Sequence, residues 1–411
     1  MLTQVPRTRW GGLADGRFRP GGFFRVGELD GVFWLIDPDG GRYLSKGVNT
    51  VRFDQDAIQH SSRIPYAEAC RRKYGSESAW RIAVARRLAS WGFNTLGCWS
   101  DQAAAAAGPS PLAVTPNLDL GMSFAWLQND RNPDEPRQDF PDVFDPQFNI
   151  HVRRRARELC AKRSGDQNII GWFIDNELRW GPDWRGPDEL LMLFLNLSPT
   201  TPGRVAASDL LRQRRGHTVS AQAPSTADCN AFLALVAERY FELTAAAIKA
   251  ADPNHLVLGC RFATPPPAAV IEAAGRHLDV ISFNCYDGEA NAAIDAYAVA
   301  GKPCLIGEFS FRAADSGLPN SNGAGPQVAT QAERAAGFRH YVSAALQKPT
   351  VVGYHWFEHA DQPAEGRFDG ENSNFGTVTI DDSVYEDLTR TMAALNAEAE
   401  QLHSAAASAT T

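Results

Sequence analysis

The sequence predicts an α/β chain folded as a (β/α)8 barrel with a small N-terminal β-hairpin element. Three observations carry this. Eight short apolar runs recur along the chain, at 44–50, 95–99, 112–116, 169–174, 256–260, 280–284, 304–307 and 351–356. Most are continuously apolar, as in strands covered by helices on one side and by a barrel interior on the other. Helical patterns separate them, and strand–helix alternation to a count of eight is the signature of this barrel. A doubly wound open sheet is the fallback, but no GxGxxG follows the first run.

In chain order, 1–21 is rich in Gly, Arg and Pro and reads as a lead-in. Short apolar runs at 23–26 and 32–36 flank Asp30-Gly31, a hairpin signal. Asp37-Pro38-Asp39-Gly40 forms a second turn. Helices are expected at 77–91, 148–164, 227–251, 270–275, 290–300, 333–347 and 383–400, with a shorter helical piece at 187–197. The organisation expected is a lead-in and hairpin over 1–42, a catalytic barrel over 43–400 and a tail over 401–411. Two stretches exceed ordinary loop length: 181–226, which includes a Ser/Thr/Pro/Gly-rich part, and 361–381. Both follow strands, so both are expected as cleft walls at the C-terminal mouth, carrying Trp180, Trp184, Phe368 and Phe375.

Composition narrows the function. The net charge of −8 argues against nucleic acid or an anionic membrane as partner, since both require a basic face. The seven cysteines are odd in number and form no CxxC, so they read as reduced, buried thiols of a reducing compartment. No run of 18 apolar residues occurs and the N-terminus lacks a signal-type apolar stretch, which makes a cytoplasmic location the expectation.

Two strand ends carry chemistry. The stretch 171–180, GWFIDNELRW, delivers Asn176 and Glu177 at the tip of the fourth strand. The stretch 302–311, KPCLIGEFSF, delivers Glu308 at the tip of the seventh. In a (β/α)8 barrel these tips form the active site. Two carboxylates facing each other there, among aromatic residues, suit glycoside hydrolysis, with one as acid and then base and the other as nucleophile or as base on water. Asn49, Trp99 and Asp101, at the ends of strands one and two, are candidate sugar contacts, and His355 and Glu358 are candidate hydroxyl-binding groups. His355 and His359 form an HxxxH with acids nearby, a poor zinc signature, so neither a metal nor another cofactor is expected.

At these residues the chain resembles clan A of the glycoside hydrolases, retaining enzymes in which an Asn-Glu pair ends strand four and a Glu ends strand seven. The resemblance implies Glu177 as acid/base, Glu308 as nucleophile and Asn176 as partner of the sugar 2-hydroxyl. It also implies Tyr286 as hydrogen-bond donor to the nucleophile and Trp356, ending strand eight, as floor of the sugar site. Many clan members have an Arg at the end of strand two. Here that position reads CWSD, and Arg52 after strand one is the candidate replacement. More narrowly, KGVNTVR (46–52), GWFIDNELRWG (171–181), FLNL (194–197) and RFDGENSNFG (367–376) look like the β-agarases of glycoside hydrolase family 50. The implied activity is exo-acting, retaining cleavage of β-galactoside linkages in agar-type galactan oligosaccharides, with carboxyl groups about 5–5.5 Å apart. A β-galactosidase or β-glucanase of the same clan is the nearest alternative, and a non-catalytic carbohydrate-binding barrel a further one, because fold does not choose the sugar.

Overall fold

The computed structural model describes residues 5–133, 136–137, 139–215 and 223–406. Near the N-terminus, β1 (Arg25–Leu29) and β2 (Val32–Ile36) pair antiparallel, with Leu29 opposite Val32. The two-residue turn between them is Asp30-Gly31, both at positive φ (54° and 77°), the conformation whose twist matches a hairpin. The first strand lies two residues later than the apolar run at 23–26 suggested, because turn geometry sets hairpin register. The short β3 (Arg42–Tyr43) adds to β2.

The parallel strands follow: β4 (Ser45–Val48), β5 (Thr95–Leu96), β6 (Ala113–Val114), β7 (Gly171–Phe173), β8 (Leu256–Gly259), β9 (Ile281–Asn284) and β10 (Cys304–Phe309). After the small loop pair β11 (Arg312–Ala313) and β12 (Gln327–Val328) comes β13 (Val351–Trp356). Six of them form one sheet in the order β6-β5-β4-β13-β10-β9, and β7 pairs with β8. Parallel bridges Val114–Ile169 and Asn117–Phe173 connect the β6 region to β7, and Phe262–Phe283 connects the β8 region to β9. The eight apolar runs of the sequence thus all contribute parallel strands, each bounded within three residues of its expected place.

The helices are α1 (Pro65–Tyr74), α2 (Glu77–Ser90), α3 (Leu120–Arg131), α4 (Pro146–Cys160), α5 (Leu190–Leu195), α6 (Pro202–Arg215), α7 (Thr226–Ala251), α8 (Ala268–His277), α9 (Asn291–Tyr297), α10 (Gln331–Leu346) and α11 (Glu386–Ser404). Local caps start several of them. Ser76 Oγ accepts from Ala79 N at α2, and Ser225 and Asp228 form a reciprocal capping box at α7. The sequence reading missed α1, α3 and α6. The last two are capped from far away: Asp175 accepts from Gly121 N and Met122 N, and Asp142 accepts from Gly203 N. The Ser/Thr/Pro-rich stretch expected as loop therefore becomes the entry to α6.

One apolar core lies between strands and helices. A second draws Ala113, Phe173, Leu258, Leu305 and Val352 from the parallel strands and closes on Trp10, Phe24 and Leu35 of the N-terminal segment. The hairpin region is thus part of the packing, not a free lead-in. At the other terminus α11 runs to Ser404, and His403 bonds the carbonyls of Leu346 and Phe33, so a tail starting at 401 would cut through a packed helix. Residues 407–411 of that expected tail lie outside the described residues. All seven cysteines are free and buried. Among the described residues no helix is long and apolar enough to cross a membrane.

Candidate active site

The end of β7 is fixed before it presents any side chain. Ile174 N donates to Gly259 O (2.7 Å) and Glu177 N to Cys260 O (3.1 Å), which holds the segment on β8. Asp175 is fully buried and accepts from Gly121 N (2.7 Å), Met122 N (2.8 Å) and Tyr240 Oη (2.6 Å). Burial, with the nearby Asp119 charge, pushes its pKa up to about 7. Glu177 itself sits at φ 52°, a left-handed conformation costing an ordinary residue about 1–2 kcal/mol. The flanking bonds hold it there.

Glu308 reaches the same place by a different device. Along β10, Ile306 pairs with Tyr354 and Phe309 with Trp356, so three steps on one strand meet two on its partner. This bulge re-aims the side chain between them. Phe309 stacks outward on Tyr341 of α10 (4.3 Å, 6°), while Glu308 turns inward. Its Oε2 accepts from Tyr286 Oη (2.6 Å), and its Oε1 accepts from Arg261 Nη2. Gly307 is required beside it, since a Cβ there would come 2.7 Å from Asn284 Oδ1.

Hydrogen bonds join the two strand ends. Arg261, on the segment after β8, also donates through Nε to Asn176 Oδ1 (2.7 Å). Asn284, ending β9, donates to Glu177 Oε1 (2.7 Å) and to Asn176 Oδ1 (3.2 Å). Glu177 is pushed up to about 7, first by burial and then by the charge of Glu308, against the opposing pull of Asn284, Arg261 and Arg185. Arg261 is wholly buried, with its guanidinium 5.1 Å from the Trp99 ring centre and 4.9 Å from that of Phe173.

Of the residues expected at the site, Glu177, Glu308, Asn176, Tyr286 and Trp99 come together. Trp99, at φ 58°, is 38% exposed and stands at the rim. Four others lie in the packing. Trp356 has no exposed surface: it meets Phe309 and Phe338 edge-on, its Nε1 donates to Phe375 O, and Arg334 lies over it. Strand alternation holds, but with the opposite sense to the one assigned, and it is Phe357 that faces Trp99, Tyr286 and Phe375. His355 points inward, below the mouth. It bonds Ser45 Oγ (2.8 Å), and burial pushes its pKa down to about 3, leaving a neutral ring. Asn49 is buried, with both amide hydrogens on the carbonyls of Gly307 and Trp356 and its oxygen on Cys98 N, a tie between strands. Glu358 is buried beside Gln362, with burial and the nearby Asp56 charge raising its pKa well above the ordinary range.

Four more expected residues lie elsewhere. Arg52 pairs with Asp54 at the surface, and the cation beside Glu308 is Arg261. Asp101 pairs with Arg81 and caps a short helical turn. Trp180, expected on the cleft wall, stacks on Phe241 (5.4 Å, 16°) in the core, and Phe375 is likewise fully buried. The sequence reading missed Arg261, Asn284 and Phe357. A signal existed for the first two, because each is a polar residue ending an apolar strand run, the same pattern that singled out both glutamates. Among the described residues no group of three or more His, Cys, Asp or Glu is placed to hold a metal ion.

No family model matches the chain. It is 26% identical to β-agarase B of Vibrio sp. (strain JT0107) over 97% of its own length and 51% of the relative's. It is 30% identical to β-agarase A of the same organism over 90% of its length and 45% of the relative's. The chain therefore spans about half the length of these curated relatives. Among solved structures, the agarase AgWH50C superimposes with a TM-score of 0.80 at 26% identity, covering 97% of this chain and 67% of that one. An exo-β-agarase structure superimposes with a TM-score of 0.81 at 24% identity, covering 97% and 68%. Over nearly its whole length the chain is a distant homologue of the β-agarases of glycoside hydrolase family 50.

Proposed function

We propose that this chain is a retaining glycoside hydrolase that cleaves β-galactoside linkages in agar-type galactan oligosaccharides. Glu177 is the acid/base and Glu308 the nucleophile. The observation that carries this is the joined pair of strand-end carboxylates. One is pushed up to about 7 and held by a single amide, while the other has both oxygens occupied by Arg261 and Tyr286. A carboxylic acid poised to donate beside a carboxylate bonded by a fixed cation is the division of labour that double displacement needs.

Glu308 attacks the anomeric carbon as Glu177 gives its proton to the departing glycosidic oxygen. The glycosyl ester is then opened by water, which surrenders a proton to Glu177. Asn176 spends its oxygen on Arg261 and Asn284, which turns its amide nitrogen to a sugar hydroxyl. Phe357, beside Trp99 and Tyr286, is the flat apolar face under the ring.

The architecture fits a closed (β/α)8 barrel spanning about 43–404. The three parallel bridges between the two sheets and the inner cluster shared by their strands support closure. Exo action is supported by a wall on the nucleophile's side. There the segment after β10 is stitched to that after β13: Ser373 Oγ donates to Asn322 O (2.7 Å), and Asn374 N donates to Asn320 Oδ1 (2.8 Å).

The test is digestion of agarose-derived oligosaccharides and of p-nitrophenyl β-D-galactopyranoside, read by product mass and by the anomer first formed. Release of short products with retained configuration, lost in Glu177→Gln and Glu308→Gln on the oligosaccharides, is expected. A protein that opens no galactoside, or that inverts configuration, overturns the assignment.

A further inference from the structure

We infer that Trp184 is a stacking platform for the sugar on the leaving-group side of the scissile bond, so that the site recognises a galactan chain and not a single galactose unit. The inference rests on the functional reading above. Trp184 lies in the segment between β7 and α5, and its side chain is 66% exposed. An exposed indole is ordinarily free to swing, but the backbone beneath this one is fixed. Asp183 and Gly186 exchange two backbone hydrogen bonds of 3.1 Å, closing a tight turn with Trp184 at its tip. Asp183 then accepts from Arg185 N (2.8 Å) and from both Nε (3.0 Å) and Nη2 (2.5 Å) of the same guanidinium. That guanidinium lies 4.5 Å from the centre of the Trp184 ring. Arg179, buried beneath, donates to the carbonyls of Gly181 and Asp188 and braces the base of the loop.

One more bond ties this turn to the chemistry. Arg185 Nη1 donates to the backbone carbonyl of Glu177 (2.8 Å). Glu177 is the residue that delivers a proton to the departing oxygen, so its flank is the side on which the leaving sugar must lie. Arg185 lies against the ring, which is otherwise largely exposed. An exposed indole carried on a braced turn suits the C–H face of a pyranose, at little ordering cost. Phe368, also exposed, rides instead on Arg367, which is bound to Asp369 and Glu371 and makes no bond to Glu177.

The experiment compares wild type, Trp184→Ala and Trp184→Phe on an agarose-derived hexasaccharide and on β-D-galactopyranosyl fluoride, whose leaving group is too small to touch the indole. Trp184→Ala should raise KM for the hexasaccharide about tenfold and leave the galactosyl fluoride within about twofold, and Trp184→Phe should recover most of the loss. The melting temperature should hold, because the side chain is exposed. Equal losses on both substrates, or no loss on either, overturn the platform. In parallel, hexasaccharide binding is titrated by tryptophan fluorescence in the Glu308→Gln background, with and without Trp184→Ala. A wild type inactive on every galactoside overturns the functional reading alone. The titration then decides the platform: weaker binding without Trp184 supports it, and equal or absent binding overturns it.

Discussion

Arg261, after β8, and Glu308, on β10, form a buried ion pair that passes over the end of the intervening β9, with the guanidinium also reaching Asn176. The cation therefore fixes the proposed nucleophile, Glu308, and the Asn176 amide in one frame. Arg261→Met should lower kcat/KM by about 10²-fold or more, because a carboxylate displaced by an ångström no longer meets the anomeric carbon. Leaving Glu308 buried without its cation should also cost about 3–5 kcal/mol of stability. Arg261→Lys keeps the charge but lacks the fork that spans both partners, so its kinetics should fall between the two. Wild-type kinetics in a folded Arg261→Met protein would remove Arg261 from the site.

With its pKa pushed up to about 7, Glu177 in its proposed role as acid should set the upper pH limit of the reaction. On a poor leaving group, kcat/KM should fall as pH rises above about 7, where the acid has lost its proton. Stability carries the same sign. The folded state holds this proton more tightly than the unfolded chain, where the carboxyl titrates near about 4.3. The stabilisation is complete below about pH 4 and is lost as pH rises through about 7. Glu177→Gln removes that slope, so relative to wild type it should gain on the order of 2 kcal/mol between pH 5 and pH 8. Parallel wild-type and mutant melting curves across that range would contradict the assignment.

Asn284 is the first of three groups that hold the Glu177 pKa down, ahead of Arg261 and Arg185, and it does so by donating to Oε1. Asn284→Ala should therefore move the basic limb of the pH profile to higher pH while lowering kcat on poor leaving groups. A limb that stays in place, or moves down, would show that Asn284 acts only on Asn176.

Trp356 and Phe357 should separate cleanly. Trp356→Ala empties a fully buried site between β13 and α10 and should cost about 3–5 kcal/mol. Kinetics per folded molecule should change little. Phe357→Ala should instead lose on the order of 10²-fold in kcat/KM through misplacement of the ring. Thermal melts and kinetics on both variants decide it, and the reverse pattern would restore Trp356 to the sugar site.

Much of this site was legible because a buried parallel strand announces its own end. An apolar run that stops at a polar residue marks the strand tip, and Asn176–Glu177 and Glu308 were found that way, while Tyr286 came from the family resemblance. What the pattern does not encode is which way a side chain points at the last residue. At Glu308 a bulge supplies the extra residue that turns it inward, and a bulge leaves no mark in an apolar run. At β13 the run is apolar on both parities, so Trp356 and Phe357 exchange roles without altering the pattern. Helices α3 and α6 were hidden for a related reason, since the aspartates that cap them stand about 54 and 61 residues away in sequence. Arg261 pairs with Glu308 over an intervening strand, and no local spacing connects position 261 with position 308.

The seven buried thiols give the chain a built-in reporter of its own opening. Cys98, Cys260, Cys285 and Cys304 lie at or beside parallel strands, and Cys70, Cys160 and Cys229 lie on α1, α4 and α7. Burial pushes the thiols of Cys70, Cys98, Cys160 and Cys304 up to about 12, so at neutral pH they are neither ionised nor reachable by an alkylating reagent. Each becomes reactive only when the element around it comes apart. The order in which alkyl groups accumulate under mild denaturant, read by mass peptide by peptide, would rank the strands and helices by how readily each leaves the fold.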